Sequence, residues 1–279
     1  MPDAPLPQPA SNGGLNWHTL DALPTWQRVD FISDLHLQAS EPFTAHAWQN
    51  YLQQSAFDAL FILGDLFEVW VGDDALDTHD EDPEHRFIRQ CCEQLRLCAR
   101  QRPVYLMHGN RDFLLSTRFA LHTGVTLLPD PSVLRWHEQN TLLTHGDAWC
   151  LDDHDYMRFR AEVRGAPWQQ AFLARPLQER EALARRLRAD SEARKTMSRD
   201  GDASITWADV DTPLAEHWLQ ATNSQRLIHG HTHHPAEHEL SGGMQRLVLS
   251  DWDLGTCPPR AEALRLQADG HSERINLIA

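Results

Sequence analysis

No run of about 18 apolar residues occurs in the sequence, so no segment reads as a membrane-spanning helix. Cysteine is scarce: Cys91, Cys92, Cys98, Cys150 and Cys257 form an odd set with no C-x-x-C pair. That excludes a disulfide framework and a thiolate zinc site, and it points to packing thiols in a reducing compartment. Positive charge is in deficit too. Lys plus Arg number 25 against 40 Asp plus Glu, a net charge of −15, which disfavours binding to phosphate backbones, so no nucleic-acid partner is expected. The first residues lack the basic start and apolar core of a signal peptide. They carry Pro2, Pro5, Pro7, Pro9, Gly13 and Gly14 instead, and residues 1–27 are expected to form a flexible tail. What is present, 41% hydrophobic and 23% charged residues in a chain of 279, suffices for a buried core in one large domain over 28–279.

Short apolar runs recur at residues 29–32, 59–63, 104–107, 141–144 and 226–228, each ending in a polar cluster. Helix-length stretches such as 84–102 separate several of them. This alternation predicts an α/β protein with a largely central sheet, whose ligands gather beyond the carboxyl ends of the strands. Residues 156–200 differ: no β-rich run interrupts them, and Leu183 and Leu187 keep helical spacing. Between residues 158 and 199 lie eleven basic and five acidic residues, the reverse of the chain's overall balance. The stretch reads as a helical insertion, over about 152–200, between two sheet strands. It is either a solvated helical face or a lid whose basic residues meet an anionic substrate or membrane surface.

Five clusters carry the chemistry: Asp34-Leu35-His36, Gly64-Asp65, Gly109-Asn110-Arg111-Asp112, His145-Gly146-Asp147 and Gly230-His231-Thr232-His233. Taken singly, each reads as a turn or a cap. Together, in this order and each after an apolar run, they read as metal ligands. In an extended segment residues two apart share a face, so Asp34 and His36 reach one ion together. His231 and His233 do the same if extended, or serve two ions if a turn intervenes. Carboxylate, imidazole and amide oxygen without thiolate suit Mn2+, Fe, Zn2+ or Mg2+. Two such ions about 3.5–4 Å apart clamp both oxygens of a phosphoryl displacement, and the lone Asp65 is the natural bridge between them.

The order D-x-H, G-D, G-N-R-D, H-G-D and G-H-T-H resembles the calcineurin-like metallophosphoesterase family over most of residues 29–255. The resemblance implies a β-sandwich flanked by helices, with an inserted helical cap. It implies two divalent ions, Mn2+ foremost. Asp34, His36, Asp65 and His233 would hold one, and Asp65, Asn110, His145 and His231 the other. Asp65, Asn110, Arg111 and His145 would be the catalytic set. Many members place His after the Asn to protonate the leaving group, whereas Arg111 stands here. Arginine keeps its proton and grips phosphate bidentately, which points to a pyrophosphate substrate.

Residues 64–74, 108–115, 145–153 and 229–235 further resemble the lipid A branch of that family. The implied activity is hydrolysis of the pyrophosphate bond of UDP-2,3-diacylglucosamine to 2,3-diacylglucosamine 1-phosphate and UMP. The implied location is cytoplasmic, peripherally at the inner face of the cytoplasmic membrane. Carried over by position, Asn110, Arg111, Asp153, Ser191, Lys195 and His231 would contact substrate. A further family lysine has no clean counterpart, since Ser198 or Arg199 stands there. A soluble-substrate phosphodiesterase or nucleotide pyrophosphatase of the same fold is the alternative. The greasy face of the cap, with Trp168, Phe172, Leu173, Leu183 and Leu187, favours acyl chains.

Overall fold

The structure, a computed structural model, describes residues 10–12, 14–78, 82–187 and 208–278. Among the described residues thirteen strands form two sheets, the sandwich that the family resemblance implies, where alternation alone suggested a largely central sheet. One sheet holds, in spatial order, β13 (Ser272–Asn276), β12 (Glu262–Gln267), β3 (Arg28–Ile32), β4 (Ala59–Leu63), β5 (Val104–Met107) and β6 (Thr126–Leu128). The other begins with β1 (Ala10–Asn12), β2 (Leu15–Asp21), β7 (Ser132–Trp136) and β8 (Gln139–Thr144). It continues with β9 (Arg226–His229), β11 (Gln245–Val248) and β10 (Ala236–Glu239).

The reason for two layers lies in the strands' alternation. Val29, Phe31, Ala59, Phe61 and Leu63 point between the sheets and meet Leu134, Leu143, Ile228 and Leu247. Their neighbours Ile32, Leu60 and Ile62 face outward into a core closed by α1 (Pro42–Gln54), α2 (Pro83–Ala99) and α3 (Thr117–Thr123) through Trp48, Cys91, Cys92, Leu95 and Phe119. In the second sheet Leu142 and Leu227 turn outward to α7 (Thr212–Ala221), against Trp218 and Leu219. A strand buried on both faces reads as an unbroken apolar run, which is why β4 is Ala-Leu-Phe-Ile-Leu. The result is a sandwich with helices on both outer faces.

The tail expected over 1–27 is corrected in part. β2 pairs in parallel with β7, matching His18 to Ser132 and Leu20 to Leu134. Leu15 and Trp17 pack on the α7 side and Leu20 between the sheets, so period-two apolar residues override the proline-rich context. Residues 1–9 and 13 lie outside the described ones.

After β8 come α4 (His154–Val163), α5 (Ala166–Leu173) and helical residues 177–187 (α6). Three of their arginines face inward, contrary to the expectation that the basic residues of this stretch meet phosphate or membrane. Arg160 Nε donates to Asp147 at 2.8 Å, and Arg164 Nη2 donates to Gly109 O at 2.7 Å. Arg180, 1% exposed, bonds Val71 O and Asp74. Among the described residues no helix is long and apolar enough to cross a membrane.

Candidate metal centre

Three adjacent parallel strands of one sheet deliver donors at their carboxyl ends: Asp34 and His36 after β3, Asp65 after β4 and Asn110 after β5. Parallel neighbours of the other sheet deliver His145 after β8 and His231 and His233 after β9. Beyond its last ladder pair the β3 chain still runs beside the β4 chain, with Asp34 N donating to Gly64 O, His36 N to Asp65 O and Leu37 N to Leu66 O.

The donors converge by a route the sequence rule did not foresee. Asp34, His36, Asp65, His231 and His233 have φ of 54°, 48°, 52°, 67° and 54°. This left-handed region is costly for residues with a side chain and is kept where the surroundings enforce it. Asp34 and His36 thus meet through left-handed steps, not along an extended segment. His231 and His233 part to different neighbours. Close backbone approach completes the arrangement: a Cβ on Gly109 would overlap the Asp65 carboxylate, and one on Gly230 would overlap Ser33 and Asp34.

Asp65 Oδ2 lies 3.9 Å from His36 Nε2 and 3.8 Å from His145 Nε2, between two donor groups. On one side Asp34 Oδ1 is 3.3 Å from His233 Nε2 and 4.0 Å from His36 Nε2. On the other, Asn110 Oδ1 is 3.2 Å from His145 Nε2 and 3.0 Å from His231 Nδ1. Asp34, His36 and His233, and likewise Asp34, Asp65 and His145, are close enough to hold a metal ion.

The donor chemistry fits a divalent cation. Asp34 Oδ1 is buried and accepts no well-formed hydrogen bond. Burial pushes Asp65 up to about 6; His145 and His36 oppose that shift, and the Asp112 and Asp34 carboxylates add to it. Burial works against the charged form of His145, but Asp65, Asp34 and Asp147 outweigh it and raise the group to about 9. Such mutual dependence of buried carboxylates and imidazoles is what a shared cation relieves.

Several supporting interactions escaped the sequence. Asp112, buried, accepts Leu66 N and Gly109 N, both at 2.8 Å, and so clamps the loops after β4 and β5. His145 Nδ1 donates to Leu63 O at 2.8 Å, fixing Nε2 toward the centre. Glu68 Oε2 lies 2.8 Å from His36 Nδ1, and Asp251 Oδ2 lies 3.7 Å from His233 Nδ1. Asp251 is itself held by Arg260 at 2.9 and 2.7 Å. Glu68 stands inside the run 64–74 that drew attention, but an acidic residue in a loop has no spacing signal of its own.

The remaining expected contacts divide. Arg111 is at the centre: its N donates to Asp65 Oδ1 at 2.8 Å, and its buried Nε has no partner. Asp153 caps α4, its Oδ1 accepting from Tyr156 N at 3.0 Å. Ser191 and Lys195, with Ser198 and Arg199, lie outside the described residues.

An Asp, His and Asn centre at the carboxyl ends of parallel strands from both leaves of a sandwich, with Asp34, Asp65 and His145 buried and His233 open to solvent, defines a metal-dependent hydrolase. The chain belongs to the calcineurin-like phosphoesterase family, which residues 27–235 match. It is 45% identical over 259 residues to the UDP-2,3-diacylglucosamine hydrolase of Ralstonia nicotianae, an alignment covering 89% of this chain and 94% of that one. The hydrolase of the same name from Chromobacterium violaceum is 44% identical, covering 81% and 91%. That of Pseudomonas aeruginosa is 40% identical, covering 88% and 97%.

Proposed function

We propose that the protein hydrolyses the pyrophosphate bond of UDP-2,3-diacylglucosamine, giving 2,3-diacylglucosamine 1-phosphate and UMP in lipid A biosynthesis. The observation that carries this reading is the 40–45% identity, over most of both chains, to hydrolases named for that substrate. In this reading Asp34, His36, Asp65 and His233 hold one ion and Asp65, Asn110, His145 and His231 the other. The distances about Asp65 Oδ2 support its role as the shared ligand. Oxygen and imidazole donors without thiolate suit Mn2+ along with Fe, Zn2+ and Mg2+, and the family resemblance puts Mn2+ foremost among them.

Two such ions supply Lewis acidity toward phosphoryl oxygens and a water of lowered pKa. The chain supplies the geometry. Glycine at 109 lets backbone press against Asp65, and outward hydrogen bonds such as His145 Nδ1 to Leu63 O leave ring nitrogens facing inward. A guanidinium is a bidentate phosphate partner and not a proton donor, so Arg111 pairs with the second phosphate and does not act as an acid. A phosphate leaving group needs that charge stabilisation more than it needs a proton.

For the lipid half, the insertion is the receiving surface. Trp168, Phe172 and Leu183 pack against the core, so of the apolar face expected from sequence only part is free. Leu173 and Leu187 are exposed, as is Phe159, and these three would receive acyl chains or the membrane's inner face. Asp153, Ser191, Lys195 and His231 complete the proposed substrate contacts. The test is kcat/KM across an acyl series. Each buried methylene contributes about 0.8 kcal/mol, so kcat/KM should rise by up to about fourfold per methylene. A flat series, with UDP-glucosamine turned over equally well, would favour a soluble nucleotide-diphosphate substrate and end this reading.

A further inference from the structure

We propose that Glu68 is a positioning residue whose two carboxylate oxygens tie His36 to Arg111, so that ion affinity and grip on the substrate's second phosphate depend on one side chain. The inference rests on the two-ion, diphosphate-cleaving reading above. Its starting point is backbone. The bridge between Leu37 and Phe67 extends the β3–β4 alignment past the donors, and Glu68 N donates to Leu37 O at 3.2 Å. Glu68 therefore emerges beside His36 by strand register, three residues after Asp65.

At 7% exposure the Glu68 carboxylate is nearly out of water, where an acidic group needs partners. Oε2 lies 2.8 Å from His36 Nδ1, and Oε1 lies 3.6 Å from Arg111 Nη1. Toward His36 the effect is electrostatic: Nδ1 forms no well-aligned hydrogen bond, but a carboxylate 2.8 Å behind it favours the proton on Nδ1, leaving Nε2 to face the centre as a stronger donor. The corresponding atom of His145 faces only a neutral carbonyl, Leu63 O. The His233 ring has a second carboxylate, Asp251, behind its Nδ1 at 3.7 Å. The Asp34–His36–His233 half of the centre thus has a carboxylate behind the Nδ1 of each imidazole, whereas His145 has a peptide carbonyl there and feels the Asp147 carboxylate only through space. The two ions are held unequally, and Glu68 is the nearer of the two causes.

Toward Arg111 the same carboxylate steers without consuming the guanidinium. A separation of 3.6 Å is too long for a full hydrogen bond, and Nε has no partner, so the fork stays available for phosphate. The arginine backbone is already fixed, with N on Asp65 Oδ1 and O accepting from Trp70 N at 3.1 Å. Glu68 biases the other end of the side chain by charge.

The test uses the full chain with Glu68→Gln, which keeps shape and removes charge. Equilibrium dialysis against Mn2+, with bound metal quantified, should show one of two sites weakened about 10–100-fold and the other unchanged. With both sites saturated, Glu68→Gln should raise KM for a UDP-sugar diphosphate more than it lowers kcat. Arg111→Ala should then cost less in the Glu68→Gln background than in the parent, a non-additive cycle. Wild-type Mn2+ affinity at both sites, or additive losses with Arg111→Ala, overturns the proposal. If Glu68→Gln does not fold, Glu68→Asp, which withdraws the charge from both partners, must show the same two changes, and parental behaviour there overturns it equally. Asp65→Asn is the control for the underlying reading. If that variant binds two Mn2+ as tightly as the parent, the shared-ligand centre itself is wrong, whatever Glu68 does.

Discussion

Replacing Arg180 by Met should loosen the helical insertion while leaving the donor cluster intact. Arg180 is 1% exposed, and its donors go to three places: Nε to Arg175 O at 3.0 Å, Nη1 to Val71 O, and Nη2 to Asp74. A hydrogen bond from a charged donor contributes about 1.5–3 kcal/mol net, more when its loss strands a buried acceptor. Val71 is buried, so that bond is worth roughly 2 kcal/mol; Arg175 is exposed and its carbonyl can turn to water, so roughly 1 kcal/mol is lost there. The Asp74 side chain is 47% exposed, so solvent screens the ion pair to below about 1 kcal/mol. Met recovers most of the volume. The sum, about 3 kcal/mol, falls on the opening of α6 from the core and predicts ~100-fold faster amide exchange over residues 177–187. Kinetically, KM for a long-chain acylated diphosphate should rise while turnover of a small chromogenic diester stays at the parental level. Unchanged exchange, together with equal loss on both substrates, would refute the reasoning. It would mean that Arg180 serves the phosphates after all.

Removing metal with a strong chelator should abolish activity, and Mn2+ should restore it; activity surviving exhaustive removal would exclude the metal mechanism. Asp65→Ala withdraws a ligand from both donor groups and should lower kcat/KM on the order of 1,000-fold, since divalent ions supply several kcal/mol of transition-state stabilisation; near-normal turnover would contradict the bridging assignment. Arg111→Ala should cost more on a UDP-sugar diphosphate than on an activated phosphodiester, and equal losses would deny it a role at the second phosphate. Burial pushes Cys92 and Cys150 up to about 12 and raises Cys91 and Cys98 as well, while Cys257 is exposed. A disulfide-exchange reagent at pH 8 should therefore titrate one thiol rapidly in the native protein and five after denaturation, and two rapid thiols in the native state would contradict the burial.

How far the sequence could be read depended on the range of each interaction. The residues that the structure brings together were legible because a candidate ligand is a matter of residue identity beside a strand end, and Asp34, Asp65, Asn110, His145 and His231 each follow an apolar run. Sheet membership was not legible, because β4 and β8 are apolar runs of the same kind and only distant pairing, such as β3 with β12, sorts them into leaves. Leu15, Trp17 and Leu20 were hidden behind four prolines, whose composition says tail even though the period-two pattern beyond them says strand. Nor does charge carry direction. The insertion's arginines count as positive wherever they point, and Arg160 and Arg180 point inward because Asp147 and Val71 O are there to receive them.

The inward turn of those arginines changes what the insertion is. Asp147, two residues beyond the donor His145, accepts from Tyr156 Oη at 2.5 Å and from Arg160 Nε at 2.8 Å, so α4 begins anchored to the same loop that carries a donor. Arg164, at the end of α4, donates to Gly109 O, the residue before the donor Asn110, and lies over the Phe113 ring at 5.1 Å. Phe113 in turn meets Trp168 of α5, which stacks on Phe172 at 4.7 Å. A lid hinged at one end would leave the donors indifferent to its position. Here the first helix is fastened to two donor loops from opposite sheets, and the next packs on a residue of one of them. The proposed substrate, with its apolar part on the insertion and its diphosphate on the donors, would therefore be gripped by one continuous body. Apolar contact energy can then fix the phosphates in place, as efficient positioning requires.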